Sequence, residues 1–208
     1  MIKSASEIRS AARAALSGHW AEAAMLTFVY CIVAWAFSAL VGGLEYVQQG
    51  LGTVATLLML PLSWGYTVTF LSNARGENDP FNVSRIFDGY KDFGRIFITI
   101  LLMQVYTFLW TLLFIIPGII KSLSYAMTPF VLRDNPEMKN NEAIELSMKM
   151  MNGHKGDLFW LYLTFIGWGI LCIFTFGIGY FWFAPYVQAS TAQFYEDVKA
   201  DYELKRER

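Results

Sequence analysis

The stretch Asn152-Gly153-His154-Lys155-Gly156-Asp157, followed by LFWLYLTFIGWGILCIFTF at residues 158–176, decides the fold. Its first six residues close a polar segment that carries Arg133, Lys139 and Lys149, and the run after them holds no charge. A bilayer core takes about 20 apolar residues per helix at 1.5 Å rise, so residues 158–176 read as a membrane crossing that begins at a basic interface. The pattern recurs outward along the chain. Of the 16 Lys and Arg, only Lys121 lies outside the N-terminal arm, residues 75–95, residues 133–155 and the C-terminal tail. The acids are nearly as polarised, with Glu45 alone clearly on the far side. Lys and Arg collect on the cytoplasmic side of membrane proteins, so these four segments are expected to share that side.

Apolar runs cover residues 20–41, 51–71, 96–116, 119–132, 158–176 and 180–194, broken at 42–50, at Pro117-Gly118 and at Gly177-Ile178-Gly179. Six crossings with both termini cytoplasmic place every basic segment on one side, whereas an odd number puts the basic tail outside. The fourth run is short, with Lys121 near its start and Pro129 inside it. As a re-entrant segment it would move residues 133–155 outside, so a full span is expected. A hydrophobic share of 55% against 16% charged residues is far from soluble proportions. Residues 2–17 are charged and Ala-rich, unlike a signal peptide. A net charge of −1 says nothing about nucleic acid, and no basic stripe with interleaved aromatics reads as a nucleic-acid site, so no such partner is expected. Cys31 and Cys172 fall inside apolar runs, where they pack as small hydrophobes rather than as a disulfide or metal pair.

The chain also repeats. Ser17-Gly18-His19-Trp20 precedes the first run, Asp88-Gly89-Tyr90-Lys91 the third and Asn152-Gly153-His154-Lys155 the fifth. Glu7 and Glu142 stand twelve residues before His19 and His154, with Asn78 in the middle copy. Ser4-Ala5-Ser6-Glu7 is a capping box, and Asp79-Pro80 and Asn135-Pro136 each offer an N-cap before Pro at the first helical position. Ile144, Met148 and Met151 recur at helical spacing, away from Glu145, Lys149 and Asn152. Each copy therefore reads as an interfacial helix, a glycine in the left-handed C-cap conformation, and a transmembrane hairpin. The expected fold is all-α: one membrane domain over 1–208, with parallel repeats at 1–78, 79–134 and 135–208 about an axis along the membrane normal.

The order Ser124-Tyr125-Ala126-Met127-Thr128-Pro129, Asp134-Asn135-Pro136, Glu142-Ala143-Ile144, Ser147-Met148, Gly153-His154-Lys155, Phe165-Ile166-Gly167-Trp168 and Gly177-Ile178-Gly179 resembles a bacterial integral-membrane family. That family is catalogued as domain of unknown function 975. The resemblance implies a bacterial inner-membrane protein of about this length and brings neither a reaction nor catalytic residues. The architecture is distantly similar to membrane domains attached to some glycerophosphodiester phosphodiesterases, whose soluble catalytic domain has no counterpart here.

Polar groups at membrane depth are functional candidates by default. Gln104, Ser122, Ser124, Tyr125, Gln188, Ser190, Thr191 and Gln193 could line a shared cavity, or could simply bond between helices. Lys121 is expected to snorkel to the far interface or to bind an anionic headgroup. On the cytoplasmic face the candidates are Asp134, Glu142, His154, His19 and Glu7. His19 and His154 suit helix C-termini as well as a proton relay or headgroup contact. Asp134 reads first as part of a helix N-cap, the functional alternative being contact with a cation or phosphate through Arg133 and Asp134. No nucleophile elbow, phosphate loop, metal motif or intramembrane carboxylate pair is present, so neither an enzyme nor a cofactor is expected. The expected role is binding or transport of a lipid or small amphiphile in the inner membrane, with no protein partner identifiable. The alternative is an assembly factor that holds a partner through its cytoplasmic helices.

Overall fold

The computed structural model describes residues 2–45 and 57–207, and among them the chain is helical without a strand. Helix α1 (Ala5–Leu16) starts at the expected capping box: the Ser4 side chain accepts from the Glu7 N–H, and the Ser4 N–H donates to Glu7 Oε2 at 2.7 Å. Its buried residues, Ile8, Ala12 and Leu16, fall one per turn. Gly18 (φ 87°) ends it in the left-handed region, and α2 (Trp20–Glu45) follows. The expected break at 42–50 lies largely, and the start of the second run wholly, outside the described residues.

Helix α3 (Leu60–Ala74) leads into a 3-10 helix (Val83–Tyr90) and α4 (Phe93–Leu113). After α5 (Ile115–Tyr125), α6 (Thr128–Asp134) and α7 (Asn141–Met150) come α8 (Lys155–Leu163), α9 (Ile166–Phe174) and the long α10 (Tyr180–Arg206).

Among the described residues four helical stretches are long and apolar enough to cross a membrane: Trp20–Leu40, Phe93–Leu113, Ile115–Asp134 and Lys155–Phe174. Helix α3 is described over 15 residues only, its run beginning outside the described residues. Helix α10 has the length, but Gln188, Ser190, Thr191 and Gln193 dilute its apolar half.

Several local expectations are corrected. The turn after the third run is not at Pro117-Gly118 but at Phe114, one residue in extended conformation (φ −156°, ψ 138°). Pro117 sits in the first turn of α5, where its missing N–H has no helical acceptor to lose. The fourth run thereby gains a helical turn at its start. Gly118 lets α5 lie on α4, since a Cβ there would stand 2.4 Å from Thr111 Oγ1.

Neither Asp79 nor Asn135 caps a helix start. Asn82 caps the 3-10 helix, while Asn135 follows the end of α6 and α7 begins only at Asn141. Gly153 (φ 90°) turns the chain as Gly18 does. Gly89 instead serves close approach: a Cβ there would lie 2.2 Å from the Pro61 carbonyl oxygen, and one at Gly65 2.0 Å from that of Ile86. The 3-10 helix and α3 thus meet backbone to backbone. The charged tail, finally, is no loose end: α10 runs unbroken to Arg206 and buries Tyr195 and Val198.

Packing is uneven. Where α3, α6 and α10 meet, Phe70, Phe130, Phe194 and Tyr195 are fully buried, and Phe130 stacks on Tyr195 at 5.1 Å. Around the turns at Phe114 and Phe176 the side chains of Leu112, Ile115, Ile173 and Phe174 are exposed, and Phe176 is 98% exposed. Apolar surface on this scale needs a partner other than water.

Candidate functional site

Asp134 ends α6 at the centre of an ionic cluster. Its carboxylate is 8% exposed and accepts both Arg75 terminal nitrogens at 2.7 Å, the Tyr195 hydroxyl at 2.8 Å and Lys199 Nζ at 2.7 Å. Arg75 follows α3, so three helices are tied through one side chain. Arg75 also donates to Glu196 at 2.9 Å. The hydrogen bonds to Asp134 raise the pKa of its guanidinium against the opposing effect of burial.

A second cluster adjoins it. Glu77 accepts from Arg133 at 2.5 Å and from Arg85 at 3.1 Å, while Arg85 also donates to Ser72 Oγ at 2.6 Å. Burial pushes the Glu77 carboxyl up, but the Arg85 hydrogen bond and the Arg133 charge outweigh it and hold the carboxyl below its ordinary value. Arg95, at the start of α4, donates to the carbonyls of Leu132, Met138 and Asn135 at 3.1, 3.4 and 3.5 Å. A buried cation at these terminal carbonyls satisfies acceptors that no helical N–H reaches.

The lower half of α10 extends the clamp. Asp197 accepts from Lys3 Nζ at 2.6 Å. His154 Nε2 lies 3.0 Å from Asp201, which also pairs with Lys205 at 2.6 Å. The hydrogen bonds from Lys205 and His154 lower the Asp201 carboxyl to about 2.

The two glycine turns are built alike. His19 Nδ1 lies 2.8 Å from Glu22, and His154 Nδ1 3.5 Å from Asp157, each acid three residues on. Glu7 accepts from the Ser4 N–H at 2.7 Å, and Glu142 from the Lys139 N–H at 3.1 Å. Glu7, Glu142, His19 and His154 therefore each have a local structural duty, and only His154 is also tied to a distant helix. Glu142 further borders a cleft of about 610 Å³ between α7 and the end of α10, with Asp134, Glu145, Lys149, Lys199 and Glu203 also on its walls.

The candidates at membrane depth divide. Gln104, Ser122 and Tyr125 line one groove of about 450 Å³ between α4 and α5 with Thr107 and Thr111. The hydroxyls of Thr107, Thr111 and Ser122 donate to carbonyls of their own helices. The Gln104 amide has no hydrogen-bond partner among the described residues. Ser124 is buried, donates to the Ile120 carbonyl at 2.7 Å, and lends its own carbonyl to Ser147. Ser190 and Thr191 donate to carbonyls one turn back, at 2.8 and 2.9 Å. Gln188 is half-buried on α10. The Lys121 Nζ stands over the Trp110 ring at 5.0 Å and the Tyr125 ring at 6.0 Å, and 4.0 Å from Met148 Sδ of α7. Two aromatic faces favour a cation at this place.

Among the described residues no three His, Cys, Asp or Glu side chains converge as a metal site needs, and Cys31 and Cys172 are free thiols. Arg75, Glu77, Tyr195, Lys199 and Asp201 are absent from the sequence-derived candidates, although they make most of the clamp. A usable signal exists: Phe70, Phe130 and Phe194 are each followed within five residues by a member of the cluster, Arg75, Asp134 and Lys199.

No curated protein and no solved structure matches the chain. The sequence profile of a protein family of unknown function, DUF975, matches residues 1–124 and 112–202. The chain belongs to that family.

Proposed function

We propose that the protein is a six-span inner-membrane protein, built as three parallel hairpin repeats with both termini cytoplasmic, that binds a lipid or small amphiphile without catalysing a reaction. The spans are α2, the run ending in α3, α4, α5 with α6, α8 with α9, and the first half of α10. The matched glycine turns at Gly18 and Gly153, with their His–acid pairs and backbone-bound glutamates, support the repeat. The clamp around Asp134 gathers the ends of the second helices of all three hairpins, which supports a common basic face.

The observation that carries the binding role is the free amide of Gln104. It stands midway along an apolar span, in a groove of about 450 Å³. An unpaired amide in hydrocarbon is costly, so its groove is built to be filled. A ligand of the matching kind has a hydrogen-bonding head and an apolar body, the head meeting Gln104 and Tyr125 and the body lying along Phe108 and Met103. Native mass spectrometry of the full chain released from bacterial-lipid nanodiscs tests this. Wild type should retain an amphiphile and Gln104→Leu should retain about tenfold less, as one intramembrane hydrogen bond allows. Equal retention by both would overturn the assignment.

A second reading, a scaffold for a protein partner, is favoured by the charged cleft between α7 and the end of α10. Loss of one co-purifying protein on Glu145→Lys with Lys149→Glu, with amphiphile retention intact, would select it.

A further inference from the structure

A second groove lies between α9 and the start of α10. Trp168, Leu171, Cys172 and Thr175 form one wall at i, i+3, i+4, i+7 spacing, and Gly179, Trp182, Phe183 and Tyr186 form the other at the same spacing. The space is about 360 Å³. Trp20 stands at its mouth, and the one charged residue on its rim is Arg13. The walls run for about 10 Å along both helices at 1.5 Å rise per residue.

Arg13 and Arg9 are one turn apart on α1, and among the described residues neither guanidinium meets a carboxylate. Arg9 Nε is buried without any hydrogen-bond partner. The hydroxyl of Tyr186, in the groove wall, reaches the Arg9 carbonyl at 3.5 Å, which places this arginine beside the same mouth. Elsewhere at the basic end the guanidinium groups of Arg75, Arg95 and Arg133 all have oxygen acceptors. Among the described residues, the Arg9 Nε therefore has no acceptor.

We propose that this mouth and groove bind an anionic phospholipid, its phosphate against Arg9 and Arg13 and one acyl chain along the tryptophan-lined walls. The charge sign favours an anionic head, because two cations with no acid between them attract net negative charge more strongly than a zwitterionic head. The wall chemistry selects an acyl chain, because the three indoles and Phe183 leave no polar group along most of the groove. A space of about 360 Å³ suits an acyl chain better than a protein helix, which is about 10–12 Å across. The site shares no residue with the Gln104 groove. It requires the chain to lie in a bilayer but not that the Gln104 groove is filled, so the two assignments fail separately.

The test uses the full chain in nanodiscs of phosphatidylcholine doped with phosphatidylglycerol, followed by native mass spectrometry of retained lipid. Wild type should retain one phosphatidylglycerol in preference to phosphatidylcholine. Arg9→Gln with Arg13→Gln should reduce that retention about thirtyfold, the share expected from two cations near an anionic head, while Gln104→Leu should leave it unchanged. Cys172→Trp, which fills the groove and keeps both charges, should reduce retention too, and it decides the matter if the double variant does not fold. Equal retention of phosphatidylglycerol by wild type and Cys172→Trp, or no preference for it over phosphatidylcholine in wild type, would overturn the proposal.

Discussion

The two ends of this bundle are held by different physics. At the basic end, Phe70, Phe130, Phe194 and Tyr195 are buried beneath a net of ion pairs whose hub, Asp134, joins α6 to Arg75 and to α10. At the other end, around Phe114 and Phe176, large apolar side chains face outward and each turn is closed by short-range hydrogen bonds within its own segment. Between helices in lipid there is little hydrophobic driving force, because acyl chains are as apolar as leucine. On the proposed topology the hairpins are fixed to one another where they leave hydrocarbon, by packed aromatics and paired charge, and the far end needs only lipid.

The largest effect that could break this contrast is at Asp134. Replacing it by Ala leaves Arg75, Lys199 and the Tyr195 hydroxyl without their shared acceptor in a buried site. Removing one partner of such a cluster costs about 3–5 kcal/mol, read as a fall in Tm of the detergent-solubilised chain. Phe176→Ser, at the exposed tip, should stay within about 0.5 kcal/mol. Comparable losses from the two would erase the distinction.

Next come the glycines. A methyl group at Gly65 or Gly89 would drive into a backbone carbonyl, so Gly→Ala at either should cost about 1–3 kcal/mol. Gly167 on α9 has nothing within 4 Å of a built Cβ. There Gly→Ala should instead stabilise by about 0.5–1 kcal/mol through helix propensity, a difference in sign that thermal unfolding resolves.

A pH titration sharpens the comparison further. The Glu77 carboxyl is held below its ordinary value in the folded chain, so its contribution is fully present above that value and fades as pH falls through the lowered one. The acid limb of the stability curve should flatten in Glu77→Gln. An unchanged acid limb would remove Glu77 from the network.

The smallest stability effect is expected at Gln104, where Leu should change Tm by no more than about 1 kcal/mol allows and raise rather than lower it. Its consequence belongs to binding.

How much of this was legible depends on range. The capping box at Ser4 and Glu7 and the glycine turns at Gly18 and Gly153 are local, and neighbouring residues determine them. The long apolar runs are legible because composition alone reports them. The turn at Phe114 was obscured by Pro117-Gly118, a strong punctuation signal that a helix tolerates in its first turn. Asp134 was misread as an N-cap because Asp-Asn-Pro imitates one. Its partners stand at Arg75, Tyr195 and Lys199, each about 60 residues away, where no periodicity connects them. Lys121 shows the same limit: a lone cation in an apolar run suggests reach to water, and only the fold supplies Trp110, Tyr125 and Met148 around it.

The claim beneath the whole contrast is that the basic segments share one side of the membrane and the turn at Phe176 lies on the other. Single cysteines at Ser84, Glu137 and Phe176, placed in a chain with Cys31 and Cys172 replaced by Ala, can be exposed to a membrane-impermeant maleimide on intact cells with the outer membrane permeabilised. The account predicts labelling at position 176 in intact cells and at 84 and 137 only after lysis. Labelling of 84 or 137 from outside, or of 176 only after lysis, would contradict it.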